Sequence, residues 1–150
     1  MMNAVRMKLP LGLWLALGAA GCASHTAAPA GVPVRPLISE RVTLRGTASP
    51  TLESASCTAG SPAKPGNVLE LSEGTRATIE LKPPPGEAAL PMTMLHLTHL
   101  DSNRTWCAMT QADGTPAIIA GEFPSGQYTV SVAEVKGAAP RAYEVRVVKL

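Results

Sequence analysis

The chain is 150 residues long, carries 13 Lys and Arg against 11 Asp and Glu, and is charged at only 16% of its positions. Its signs are interspersed, so no basic patch exists to neutralise phosphates, and nucleic acid is excluded as a partner. The length suits one domain with a tail.

The first element is the apolar run Leu9-Pro10-Leu11-Gly12-Leu13-Trp14-Leu15-Ala16-Leu17, preceded by Arg6 and Lys8 and closed by Gly18-Ala19-Ala20-Gly21-Cys22. It is well short of the ~20 apolar residues that span a bilayer as a helix. A basic start, a short apolar core and small residues at its end make an export signal. The tetrapeptide Ala19-Ala20-Gly21-Cys22 resembles the lipobox of bacterial lipoproteins, with Ala19 standing where Leu is usual. The resemblance implies cleavage between Gly21 and Cys22 and acylation of Cys22, by chains such as palmitate, with the lipid bilayer as partner. The competing reading is an ordinary secretory signal cut after a small residue near Cys22. Ala23, rather than Asp, follows the cysteine, which in the Gram-negative sorting pattern implies the outer membrane. The expected organisation is therefore signal over 1–21, flexible tether over 22–36 and folded domain over 37–150.

Cysteine parity is consistent with this compartment. With Cys22 committed to lipid, Cys57 and Cys107 remain as an even pair in an oxidising envelope, where a disulfide is expected. Two buried free thiols are the alternative. A zinc site is a distant third, because neither cysteine has a His, Cys or carboxylate at ligand spacing.

Between Cys22 and Pro36 the residues are small or proline, a composition of extended tethers that cannot bury a core. His25 in this stretch reads as solvated. From Leu37 onward, short apolar alternations are separated by Gly, Pro, Asn and Asp, the pattern of an all-β sandwich. Strands are expected over 38–47, 51–57, 68–71 and 75–81, with Ala77, Ile79 and Leu81 sharing one face. Pro83-Pro84-Pro85-Gly86 ends the sheet, because three successive residues lack a backbone donor. Further strands are expected over 92–100, 104–110, 117–122, 127–135 and 142–148, and no helix competes.

The closing strands, Phe123-Pro124-Ser125-Gly126-Gln127-Tyr128-Thr129-Val130-Ser131-Val132 and Tyr143-Glu144-Val145-Arg146-Val147, resemble the bacterial pre-peptidase C-terminal domain family. Weaker matches are Val42-Thr43-Leu44-Arg45-Gly46 at its opening strand and Leu95-His96-Leu97 with Ala112-Asp113-Gly114 at its central hairpin. The resemblance implies a jelly-roll-like antiparallel sandwich without catalytic function, and places Cys57 and Cys107 where some lipoprotein members carry a bridging pair. Family members that bind calcium use acidic loops. This chain has only Asp101 and Asp113 as aspartates, so no calcium site is carried over and no cofactor is expected.

For chemistry, the candidate bases in the domain are His96 and His99, three apart on one strand and so on opposite faces. They cannot share a site from that strand. No nucleophile elbow, zinc-binding His-Glu-x-x-His or phosphate-cradling loop is present. Trp106 neighbours Cys107, and alternation puts the two on opposite faces. If Cys107 is buried against the core, Trp106 faces outward, either as a ligand platform or as cover for a sheet. These observations point to an anchored envelope lipoprotein with a non-catalytic binding or scaffold domain whose partner is an envelope protein or glycan. A hydrolase or peptidase inhibitor acting on envelope material is the alternative.

Overall fold

The computed structural model of the chain describes residues 26–53, Cys57 and 64–150. Ten strands and no helix are found among them: β1 (Val34–Pro36), β2 (Arg41–Thr47), β3 (Ser49–Leu52), β4 (Asn67–Leu71), β5 (Thr75–Lys82), β6 (Met94–His99), β7 (Thr105–Met109), β8 (Ala117–Phe123), β9 (Gly126–Val135) and β10 (Ala142–Lys149). They make two sheets. One runs β1-β4-β9-β6-β7, with β3 also pairing β9, and the other runs β2-β10-β5-β8. Pairing is antiparallel except for β1 on β4 and β3 on β9. The all-β sandwich expected from alternation is therefore the observed fold.

The period of two explains which residues face inward. Leu95 and Leu97 from β6, Tyr128, Val130 and Val132 from β9, and Leu69 and Leu71 from β4 line the inner face of the larger sheet. Opposite them lie Leu44, Ala77, Ile79, Leu81, Ala117, Ile119, Phe123, Tyr143, Val145 and Val147 from the smaller sheet. Fully burying one such side chain contributes about 1.5–3 kcal/mol, so this single layer carries most of the folding drive. Tyr143 is packed against backbone: a Cβ at Gly46 would lie 2.5 Å from its hydroxyl, so only glycine fits there. Asn67 Nδ2 donates to that hydroxyl at 3.4 Å and to the Arg45 carbonyl at 3.2 Å, which pairs the buried phenol.

The two outer faces differ. On the smaller sheet β2, β10 and β5 present charge, including the Arg45–Glu144 pair at 2.8 Å and Arg146 in register between Thr43 and Glu80. On the larger sheet, the outer face holds a second apolar cluster of Leu52, Met94 and Ala133, flanked by Cys107, Met109 and Val135. His96 lies in the same face, in register with Ser131 on one side and Cys107 on the other. Cys57 is bonded to Cys107, with 5.7 Å between Cα atoms, joining the β3–β4 connection to this face of β7.

Two differences from the sequence reading concern the amino-terminal stretch and Trp106. Val34–Pro36, inside the stretch expected to be a tether, adds a parallel strand to β4, because Pro33 accepts from Val68 and Glu70 accepts from Leu37. Trp106 faces inward and Cys107 outward, the reverse of the arrangement in which Cys107 was buried against the core. The cause is register: Trp106 lies opposite Leu97, an inward residue, and Cys107 opposite His96, an outward one.

Candidate functional site

One end of the sandwich is built from the β4–β5, β6–β7 and β8–β9 turns together with the starts of β2 and the end of β10. The β6–β7 turn is held by His99 and Arg104, whose backbones pair at 2.9 Å, and by Asn103, whose N–H bonds to the His99 carbonyl. Asn103 adopts φ 55, a left-handed conformation that Asn tolerates better than most residues. The turn carries Asp101 to the rim of a cleft of about 730 Å3.

The walls of this cleft come from Glu70 and Leu71 on β4, from Ser125, Gly126 and Gln127 at the start of β9, and from Asp101. The remaining wall is the chain's own Thr26–Ala28. The Thr26 N–H donates to Asp101 Oδ1 at 3.3 Å. After Ala28 a turn closes with Val32 N–H on the Pro29 carbonyl, and the chain runs back as β1 beside β4. Residues 26–36 thus form a docked arm.

Behind the cleft floor lies an aromatic group. His99 sits 4.8 Å from Tyr128 between ring centroids, and Trp106 is 5.7 Å from Tyr128 and 5.5 Å from Phe123. The Arg104 guanidinium covers the indole at 4.8 Å, an arrangement that attracts a cation to the ring face. Tyr128 donates its hydroxyl to the Pro124 carbonyl at 2.6 Å. Burial pushes this phenol up from 10.0 to about 12, with Arg104 pulling weakly the other way.

His99 is fully engaged. Its Nε2 lies 3.0 Å from the Ser125 carbonyl, which can only accept, so Nε2 carries the proton. Its Nδ1 lies 2.7 Å from Ser102 Oγ and accepts the hydroxyl proton. An imidazole with both nitrogens spent on turn contacts orders the β6–β7 and β8–β9 turns. His96, on the opposite face, is only 6% exposed, and burial lowers its pKa below the usual histidine range. The two histidines are on different faces, as the spacing predicted. Among the described residues no group of three or more His, Cys, Asp or Glu could hold a metal ion.

Gly21 and Cys22, the expected cleavage and lipidation residues, lie outside the described residues. Cys57 and Cys107 are joined. Sequence reasoning did not find the arm and its seat, because a stretch of small residues and prolines carries no alternation to read. The one legible signal is Gly126 itself, which stands immediately ahead of the β9 alternation and adopts φ 134.

At the opposite end of the sandwich Glu134 is 3% exposed, with Arg141 Nε at 3.7 Å and its Oε2 without a hydrogen-bond partner. Burial raises its pKa above the usual carboxyl range, against the pull of Arg141.

Among solved structures the chain is similar to the pre-peptidase C-terminal domain of a collagenase from Bacillus anthracis, at 16% identity and a TM-score of 0.48. The similarity covers 81% of this chain and 98% of that one. No protein-family profile matches the sequence, and no curated protein matches it.

Proposed function

We propose that this chain is a lipid-anchored envelope protein whose β-sandwich is a non-catalytic binding or scaffold domain. The observation that carries the reading is the seat of the arm: Thr26, four residues after the cysteine of the lipobox-like motif, donates its N–H to Asp101 Oδ1 at 3.3 Å. Acylation of Cys22 would mount the sandwich directly on the bilayer rather than hang it from a long flexible stalk. More than one acyl chain is needed for lasting attachment, at about 0.8 kcal/mol per buried methylene. The commitment of both His99 nitrogens to turn contacts supports the non-catalytic part. The outer face of the smaller sheet, with Arg45 exposed and Arg146 and Glu80 half-buried on it, is the surface offered to an envelope protein or glycan.

The test is labelling of cells with radioactive palmitate, followed by fractionation of wild-type and Cys22→Ser protein. Label in the wild type, with loss of label and release of the variant from the membrane, is the expected result. A Cys22→Ser protein that stays in the membrane fraction would sink the lipid anchor. Crosslinking on intact cells then identifies what the domain touches.

A further inference from the structure

We infer that the arm-bearing end of the sandwich faces the membrane and that Ile38 and Leu150 touch the lipid surface; this rests on the anchoring of Cys22 proposed above. Two independent observations meet at this end. The first is the direction of the chain. An extended chain advances at most about 3.3–3.6 Å per residue, so the four steps from Thr26 back to Cys22 span no more than about 14 Å. Thr26 is tied to Asp101 on the β6–β7 turn. An acylated Cys22 therefore holds Thr26 within about 14 Å of the level at which its chains enter the bilayer, with the turn it bonds to directly beside it. The opposite end lies a full strand length further away, since β9 alone runs ten residues from Gly126 to Val135.

The second is where apolar surface is left uncovered. Among the described residues the two most exposed large hydrophobic side chains are Ile38, at 88%, and Leu150, at 68%. Both lie at this end. Leu37, next to Ile38, donates to the carbonyl of Glu70, itself a wall of the arm's cleft. Lys149 donates to the Glu40 carbonyl and Leu150 to the Arg76 carbonyl, which sets Leu150 beside the starts of β2 and β5. A single exposed apolar side chain is ordinary, but Ile38 and Leu150 together, at the end from which the arm leaves, are placed where a bilayer would cover them. Cations such as Arg41 and Arg104 interleave here with Glu40 and Asp101. The contact is thus apolar rather than charge-selective, and a zwitterionic surface serves as well as an anionic one.

The experiment uses the full acylated protein in nanodiscs of phosphatidylcholine doped with a lipid whose headgroup chelates gadolinium, with amide broadening read by NMR. The expected result is strong broadening at Ile38, Gly74 and Asn103 and little at Gly114 and Gly137, in turns at the far end. Adding salt leaves that contrast unchanged. Equal broadening at both ends, or broadening of the far end, in protein that still co-elutes with the discs overturns the orientation while leaving the anchor intact. Protein that elutes free of the discs overturns the anchor and the orientation with it. An Ile38→Asp variant folds, because the side chain is exposed; it should stay on the discs and lose several-fold in the contrast between ends. An unchanged contrast removes Ile38 from the contact.

Discussion

A Cβ placed on Gly126 would lie 2.5 Å from His99 Nε2, the nitrogen that donates to the Ser125 carbonyl. The backbone at Gly126 has φ 134, a conformation that side chains strain against, so the position is closed twice over, by dihedral and by the imidazole. Gly126→Ala is expected to destabilise the domain by about 2–4 kcal/mol, from strain plus overpacking. Urea denaturation read by Trp106 fluorescence measures it. In a double-mutant cycle with His99→Ala the two losses should be less than additive, because removing the ring opens the space. Full additivity would mean the two residues are not in conflict.

The Cys57–Cys107 bond closes a separation of 50 residues. Chain entropy for a loop of this length assigns it up to about 4 kcal/mol, acting on the unfolded state. Reduction, or replacement of both cysteines by Ser, should lower the unfolding free energy extrapolated from urea denaturation by an amount approaching that value, and the midpoint with it. A midpoint insensitive to reductant would show that the bond is not formed in the purified protein.

Glu134 is a buried carboxylate whose folded pKa lies above its unfolded value. Below the ordinary carboxyl range it is neutral in both states and costs nothing. As pH rises from that range through the raised folded value, the unfolded state ionises more readily and the folded state loses stability. Glu134→Gln should therefore stabilise the domain at neutral pH, by about 1 kcal/mol, with the gain vanishing in acid. Arg141 tolerates the loss of its partner, because it is 43% exposed and also donates to the Ala89 carbonyl. A variant less stable than wild type at pH 7 would make the Arg141 contact dominant over desolvation.

Tyr128 gives the alkaline counterpart. Its phenol is neutral in both states below 10.0, and between 10.0 and about 12 the unfolded state ionises first, so stability falls through that window. Tyr128→Phe should cost about 1 kcal/mol at neutral pH through the lost bond to Pro124, then lose less than wild type on going alkaline. The flattening is partial because Tyr143, also raised by burial, remains. Parallel stability curves for the two proteins between pH 9 and 11 would count against it.

Alternation in β5 is legible because that strand buries one face, and Ala77, Ile79 and Leu81, which share a face in the pattern, lie in the core. By contrast, β6 and β9 are buried on both faces, the second against the outer cluster around Met94 and Ala133. The β3 strand was expected over 51–57 and lies at Ser49–Leu52, where Pro50 and a register shift interrupt the pattern. The candidate site was much less legible. Its walls come from four separate segments, and the arm that supplies one of them has no alternation to read: Thr26 is seated by its N–H on Asp101 and Val34–Pro36 by pairing with β4.

By itself the sequence determined the class of fold, the inward faces of its strands and the opposition of His96 to His99, because these follow from the two-residue period of a strand. It also carries the amino-terminal motif on which the proposed anchor rests. Which side of β7 faces the core was a matter of register alone: opposite Leu97, Trp106 turns inward, and Cys107 is left outside to meet Cys57. The arm's seat, the spent nitrogens of His99 and the uncovered Ile38 and Leu150 at one end were likewise decided only by tertiary structure. They depend on which turns the two sheets bring together, and that is set by pairings between strands distant in the chain.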